Sequence, residues 1–282
     1  MTSSNDAQPL FADLSLARRL ERAEARAGAS FVEARAKVSP QCGAQWIEVA
    51  GAYAMFDIVS SPVTQTFGLG LFQEVTDVEL ERIERFFFDR GAPVFHEVSP
   101  LSGVAVQALL HKREYEPVEF MSVMYRSIHG GLSLSSRWNE RIQVRQARDK
   151  DQELWAQVAA RGWCEVPELT EGILEVAKIS SQSVGTVSFL AEMDGQPIAT
   201  AALCIGEGVA LLAGASTVPE GRKQGAQLAL LENRLRYAAG QGCDIAMMCA
   251  QPGSSSQRNA ERHGFRIAYT RLKWRLSPQA PA

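Results

Sequence analysis

The chain has 282 residues, 46% hydrophobic and 22% charged, which is typical of a globular protein long enough for about two domains. Its formal net charge of −3, from 29 basic and 32 acidic side chains, argues against a protein whose main task is to grip nucleic acid. No stretch approaches the roughly 18 uninterrupted apolar residues of a membrane span, and the first residues contain no secretory signal. We therefore expect no nucleic-acid partner, no membrane partner and a cytoplasmic location.

Charge and cysteine distribution narrow the class of site. Residues 1–130 carry 12 basic and 17 acidic side chains, whereas residues 131–282 carry 17 and 15, so an anion is expected to bind the second half. The five cysteines include no C-x-x-C pair and no neighbouring histidine at ligand spacing. A disulfide framework and a zinc site are both disfavoured, and we expect no metal.

In the first half, a helix is predicted after residue 76. Thr76 and Glu79 have capping-box spacing, and the apolar helical stripe that follows ends at Gly91. A strand over 93–98 and a short helix over 102–112 come next. The Gly- and Ser-rich segment 129–136 is the best linker candidate, so we place one domain at residues 1–135 and a second at residues 136–282.

The second half has a fuller set of elements. The patterns predict a strand at 142–147, helices at 149–161 and 167–182, and a three-strand meander at 187–192, 198–205 and 209–213. A helix then begins near Ala226, followed by a buried strand over 244–250, a helix that ends at Gly264, and a final strand pair or long strand up to Trp274.

The two halves share an order of elements. Gly91 precedes Tyr115 by 24 positions, and Gly242 precedes Phe265 by 23, with the two sets offset by about 150 residues. This pattern suggests two copies of one domain. Chance is the alternative, because the match lies in pattern and not in letters.

The segment Arg222-Lys-Gln-Gly-Ala-Gln227 follows a strand and opens a helix. Unpaired amides at a helix N-terminus point outward together and attract a phosphate or diphosphate. Gly225 lets a ligand approach the backbone, while Arg222 and Lys223 add positive charge. The alternative is an ordinary strand-to-helix turn with solvated basic residues.

Residues 141–275 resemble the GNAT superfamily of acyl-CoA-dependent N-acyltransferases. Its loop pattern Arg/Gln-x-x-Gly-x-Gly/Ala is matched by Arg222 and Gly225, although Gln227 replaces the small sixth residue. The segment Asn259-Ala-Glu-Arg-His-Gly-Phe265 is similar to a later motif of the superfamily. The resemblance implies an α/β (α+β) fold with two GNAT-like domains in tandem, each a mixed, mainly antiparallel sheet flanked by helices.

The first copy lacks the loop. Its equivalent segment, 71–79, has no glycine and no basic residue, and its acidic side chains would repel a diphosphate. We therefore expect the first domain to be degenerate and non-catalytic, and acyl-CoA to bind the second.

The resemblance implies direct attack of an amine on a thioester. It assigns carbonyl-oxygen donors to the backbone amides around Thr217 and Val218, and cofactor binding to a loop with these residues: Arg222, Lys223, Gln224, Gly225, Ala226 and Gln227. The tyrosine that many relatives use as the acid is replaced by Ala260. On the same helix, Ser256 is a candidate catalytic residue and Asn259 a candidate cofactor-binding residue. The alternative is that Ser254 caps the helix, Ser256 fills its first turn and Asn259 is solvated.

For the base, Glu165 is the first candidate and Glu192 the second, with water-mediated deprotonation as the alternative. The predicted function is an N-acetyltransferase that transfers an acetyl group from acetyl-CoA, or another acyl group from its acyl-CoA, to a primary amine of a small molecule or peptide. Two alternatives are a non-catalytic CoA-binding sensor or scaffold and an aminoacyl-tRNA-dependent transferase. A monomer and a homodimer are both compatible with the sequence.

Overall fold

The computed structural model describes residues 10–129, 139–163 and 167–277. Within these ranges the chain forms seven α-helices and eleven β-strands. The helices are α1 (Leu14–Val38), α2 (Asp77–Phe88), α3 (Val104–Lys112), α4 (Gln152–Arg161), α5 (Pro167–Ser180), α6 (Ala226–Gly240) and α7 (Ser255–Arg262). The strands are β1 (Gln45–Val49), β2 (Ala52–Phe56), β3 (Gln65–Phe67), β4 (Val94–Val98), β5 (Glu116–Ser127), β6 (Ile142–Gln146), β7 (Thr186–Met193), β8 (Gln196–Gly206), β9 (Val209–Thr217), β10 (Ile245–Ala250) and β11 (Arg266–Leu276).

The strands join into one continuous sheet in the order β1-β2-β3-β4-β11-β5-β10-β9-β8-β7-β6. The β3–β4 and β9–β10 pairs are parallel, and the other neighbouring pairs are antiparallel. The predicted α/β fold with mixed, mainly antiparallel sheets is thus confirmed, and the sheets of the two halves are joined into one.

The two halves exchange their last strands. Strand β11, from the second half, lies between β4 and β5 of the first half, with Leu272 opposite Val98 on one side and opposite Phe120 on the other. Strand β5, in turn, lies between β10 and β11. The predicted domain boundary at 135/136 falls outside the described residues, so the domain limits remain a prediction.

Helices cover both faces of the sheet. Helices α1, α4 and α5 share one face, because α1 contacts α5 and α5 packs on α4. Alternate residues of β10 separate the two faces, since Ile245 and Met247 pack with α1 whereas Ala246 packs with α6. Helices α2 and α3 cover the same face as α6 and α7, over the first-half strands.

Local signals explain the turns and helix starts. Thr76 and Glu79 form the predicted capping box of α2. The predicted hairpin turn between β7 and β8 has positive φ at both Asp194 (+52°) and Gly195 (+79°), as two-residue hairpins with this twist require. The order helix, strand, helix, strand occurs in α2-β4-α3-β5 and again in α6-β10-α7-β11, about 150 residues later.

Candidate functional site

The parallel strands β9 and β10 separate at their carboxyl ends. They pair over only three positions, from Val209 opposite Ile245 to Leu211 opposite Met247. Strand β9 then continues to Thr217 and β10 to Ala250, but the two strands do not pair with each other beyond these positions. A wedge-shaped opening therefore lies between them, with unpaired backbone groups along its β9 edge.

A bulge bends β9 beside this opening. Ala202 pairs with Ala213 and Thr200 with Ser216, so two residues of β9 lie opposite the single residue Ala201 of β8. One of these two residues is Gly214, with φ +57°. Bulges of this kind bend a strand and redirect its backbone groups, often next to an active site.

The last amides of β9 point in opposite directions. Val218 donates its N–H to the Ile198 carbonyl at 3.0 Å, toward β8. Because successive residues of an antiparallel pair alternate in direction, the N–H of Thr217 points toward the open edge. Of the two amides predicted to donate to a carbonyl oxygen, Val218 is thus already engaged, and Thr217 is the one that a ligand can reach.

Gly162, at the end of α4, keeps this amide accessible. A Cβ at this position would lie 2.5 Å from Ser216 Cβ and 2.9 Å from the Thr217 nitrogen. Sequence analysis did not single out Gly162, since a glycine after a helix is an ordinary terminator. Its importance depends on a contact with a strand about 55 residues away.

The predicted anion loop opens α6 as expected. Gly225 is the N-cap, with φ +93°, and no side chain caps the helix among the described residues. Lys223, also at positive φ (+61°), Gln224 and Gly225 are exposed, whereas Ala226 is buried. The first amides of α6 are therefore left for solvent or a ligand.

Two side chains of the loop form hydrogen bonds within the protein. Arg222 donates to the carbonyls of Thr217 (3.4 Å) and Gly162 (3.2 Å). Gln227 donates from Nε2 to the Ser216 carbonyl (3.0 Å) and to the Thr217 hydroxyl (2.7 Å). Gln227, which replaces the small sixth residue of the loop pattern, thus connects the start of α6 to the end of β9 by hydrogen bonds.

At the equivalent helix start in the first half, a capping box occupies backbone amides of α2. The Thr76 hydroxyl accepts from the Val78 amide at 3.2 Å, and the Glu79 carboxylate accepts from the Thr76 amide at 3.0 Å. These contacts satisfy amides that an anion would need, and they add a negative charge. That only the second half binds an anion stays a prediction.

The candidates for proton transfer are dispersed. Ser256 and Asn259 are exposed on α7, and the Asn259 carbonyl contacts the ring nitrogen Nδ1 of His263 at 2.6 Å. Ala260, at the position of the usual tyrosine, is buried in the core. Glu165 lies outside the described residues. Glu192 is paired with Arg145 at 2.8 Å, on β7 beside the edge strand β6.

A buried charged cluster lies on the α1 face near the end of β10, and sequence analysis missed it. Arg271 forms a bidentate salt bridge with Glu24, with hydrogen bonds of 2.6 and 2.9 Å, and Glu21 lies 3.4 Å from the same guanidinium. The Cys249 thiol lies 3.4 Å from the Glu24 carboxylate. Burial, and then the charge of Glu24, raise the pKa of Cys249 well above its ordinary value, so the thiol is a poor nucleophile.

Two further classes of site were tested over the parts of the chain that the structure describes. In these ranges, no group of three or more histidine, cysteine, aspartate or glutamate residues is arranged to hold a metal ion. None of the described helices is both long and apolar enough to cross a membrane.

Comparison with known proteins places the fold. No family model and no curated protein sequence matches this chain. Among solved structures, a GCN5-related N-acetyltransferase from Kribbella flavida is similar with a TM-score of 0.62 and 18% identity, over 91% of this chain and 96% of that one. A second GCN5-related N-acetyltransferase, from Sphaerobacter thermophilus, gives 0.57 and 18%, over 82% and 78%.

A tandem GNAT protein from the clavulanic acid biosynthesis pathway matches with a TM-score of 0.55 and 10% identity, over 82% of this chain and 79% of that one. The fold inferred from the two sequence motifs is thereby confirmed across most of the chain, including its first half. This chain has the fold of the GCN5-related N-acetyltransferases, in its tandem two-domain form.

Proposed function

We propose that this protein is an acyl-CoA-dependent N-acyltransferase that moves an acetyl group to a primary amine of a small molecule or peptide. The observation that carries the proposal is the combination of separated β9 and β10 with an uncapped α6 at the end of β9. Amides face the opening, and a helix N-terminus with an exposed lysine lies at its end.

The residues present fit an acyl-CoA. Gly225 leaves space at the loop, since among the described residues a Cβ there would have only the Asn139 nitrogen within 4 Å, at 4.0 Å. The absence of a side chain at Gly162 leaves the Thr217 amide uncovered. In this proposal the amides at the start of α6 and the Lys223 ammonium hold the diphosphate, and the opening holds the pantetheine arm.

The bound thioester supplies an activated acyl group to the amine. The Thr217 amide, and amides at the bulge that face the same edge, would donate hydrogen bonds to oxygen as negative charge develops on it. For proton removal we keep Glu165 as the first candidate. For the departing thiol we keep Ser256, which could order a water in place of the tyrosine replaced by Ala260.

A non-catalytic CoA-binding protein is the second candidate, because Ala260 is buried and offers no acid at that position. Incubation with acetyl-CoA and a panel of primary amines separates the two, since thiol release that depends on an amine requires turnover. Binding without thiol release would favour the sensor. Retention of tRNA on a filter would favour the aminoacyl-tRNA-dependent alternative.

The loop itself can be tested by calorimetry with CoA. Lys223→Gln should weaken binding about tenfold, with an effect that shrinks at high salt, because one charge facing the diphosphate is lost. Lys37→Gln is the matched control, since Lys37 is equally exposed but lies at the end of α1. No heat of binding for the unmodified protein would contradict the proposal.

A further inference from the structure

Three oxygen atoms at the end of β9 accept hydrogen bonds from side chains of the loop. The Ser216 carbonyl and the Thr217 hydroxyl oxygen both accept from Gln227 Nε2, at 3.0 and 2.7 Å. The Thr217 carbonyl accepts from Arg222 Nε at 3.4 Å. Arg222 and the Gln227 amide nitrogen can only donate, so each of these three oxygens already accepts a hydrogen bond from the loop.

Thr217 is left with two donors. Its N–H points toward the open edge of β9, as the Val218–Ile198 bond establishes. Its hydroxyl oxygen accepts from Gln227, so the hydroxyl proton must point elsewhere, and among the described residues it meets no acceptor. Thr217 is only half-buried as a residue.

The hydroxyl lies on the α6 side of the sheet. Ser216 directs its Oγ to the Ala159 carbonyl of α4, at 3.1 Å, on the opposite face. Neighbouring residues of a strand alternate between faces, so the Thr217 side chain points toward α6. Its bond to Gln227, in the first turn of α6, places it beside the uncapped N-terminus.

We infer that the Thr217 hydroxyl is an additional donor to the diphosphate of acyl-CoA, and that Gln227 is the residue that positions it. This inference rests on the proposed function, because it assumes that the diphosphate lies at the start of α6. A hydroxyl whose oxygen is held by an amide donor presents its proton in a restricted direction, here toward an acceptor that the described part of the chain does not supply. A phosphate oxygen is such an acceptor, and a hydrogen bond to a charged group is stronger than one between neutral groups.

The test is calorimetry with CoA on four proteins. Thr217→Val removes the hydroxyl but keeps the branched shape, and should weaken binding about tenfold or more. Thr217→Ser keeps the hydroxyl and should bind within about threefold of the unmodified protein. Gln227→Met removes both amide donors at similar volume and should weaken binding by a factor similar to Thr217→Val.

Two controls separate positioning from a loss of structure. Gln241→Met makes the same chemical change just past the other end of α6, at an exposed residue, and should leave CoA affinity unchanged. The double variant Thr217→Val/Gln227→Met should bind no more weakly than either single variant, because Gln227 acts through the hydroxyl. Additive losses would overturn the positioning role.

The ligand fragment identifies the contact. Binding of S-acetylpantetheine, which lacks the nucleotide and its diphosphate, should be equal for the unmodified protein and Thr217→Val. An equal loss with both ligands would overturn the assignment to the diphosphate, and unchanged CoA affinity in Thr217→Val would overturn the inference while leaving the proposed function intact. If the unmodified protein itself bound no CoA, the proposed function would fall first.

Discussion

Glu21 should make the folded protein lose stability as the pH rises. This residue lies on the buried face of α1; its side chain is fully buried and accepts a hydrogen bond from the Tyr269 hydroxyl at 2.8 Å. Burial raises its pKa from 4.5 to about 7, assisted by the charges of Glu24 and Glu97 and opposed by Arg271. The perturbation we choose is Glu21→Gln, which imitates the protonated carboxyl at every pH.

The direction in which stability changes with pH follows from which state, folded or unfolded, keeps the Glu21 proton. Below about pH 4.5 the carboxyl is protonated in both states and contributes no difference. Between about pH 4.5 and 7 the folded state keeps the proton that the unfolded state has lost, so folding becomes less favourable as the pH rises. One pKa unit corresponds to about 1.4 kcal/mol, so the shift of Glu21 corresponds to about 3 kcal/mol across this window.

Urea denaturation of both proteins at pH 4.5, 5.5, 6.5 and 7.5 measures the effect. Relative to the unmodified protein, the free energy of unfolding of Glu21→Gln should rise by about 3 kcal/mol between the lowest and the highest pH. Taking the difference between two proteins cancels the contribution of other buried groups such as His96, whose pKa is lowered to about 3 by burial and which acts in the opposite direction. A difference that does not change with pH would refute the reasoning.

Three further changes test the scaffold and the cleft. Arg35→Met should destabilise the protein by about 3–5 kcal/mol in urea, because it leaves the fully buried Asp57, now bonded at 2.6 Å, without its cation; a loss below about 1 kcal/mol would contradict this. Gly162→Ala should lower the rate of acyl transfer at least tenfold, because the new methyl would lie 2.5 Å from Ser216 Cβ, and unchanged turnover would show that the cleft end tolerates it. A fragment of residues 139–277 should show no cooperative thermal transition by circular dichroism, because it lacks the strand between β10 and β11; a sharp transition would show that the half folds alone.

The second half of the chain could be predicted well because its signals are local. The hairpin at Asp194 and Gly195, the meander and the loop before α6 each depend on residues within about ten positions of one another. The final element is a single strand, β11, in agreement with one of the two options considered for residues 265–274. These are the features that turn chemistry and period establish without tertiary contacts.

The first half could be predicted only in part. Helix α1 was missed although it is 25 residues long, and its Asp13 cap and apolar stripe were available as signals. Strand β5 was also missed, because residues 122–125 are buried on both faces while its first six residues are exposed or partly exposed, so no single alternation runs along it. The placement of β11 between β4 and β5 pairs residues that are 141 to 182 positions apart, which no local pattern encodes.

The candidate site shows the same division. The sequence located the loop and its glycine, because a strand followed by such a loop and a helix has a local signature. The assignment of Arg222 to a phosphate stays a prediction; the structure adds that its guanidinium donates to two backbone carbonyls. These two contacts have no local signature, because the end of α4 and the end of β9 meet only in the folded chain.

The strand exchange gives the first half a role that does not need chemistry. Its own helix start at Thr76 is closed by a capping box, so it offers no equivalent anion site. Its strand β5 nevertheless holds β10 and β11 in register, and β10 forms one wall of the opening beside β9. The contribution of β5 is therefore structural and does not depend on a binding loop in the first half, because that strand lies near the centre of the shared sheet.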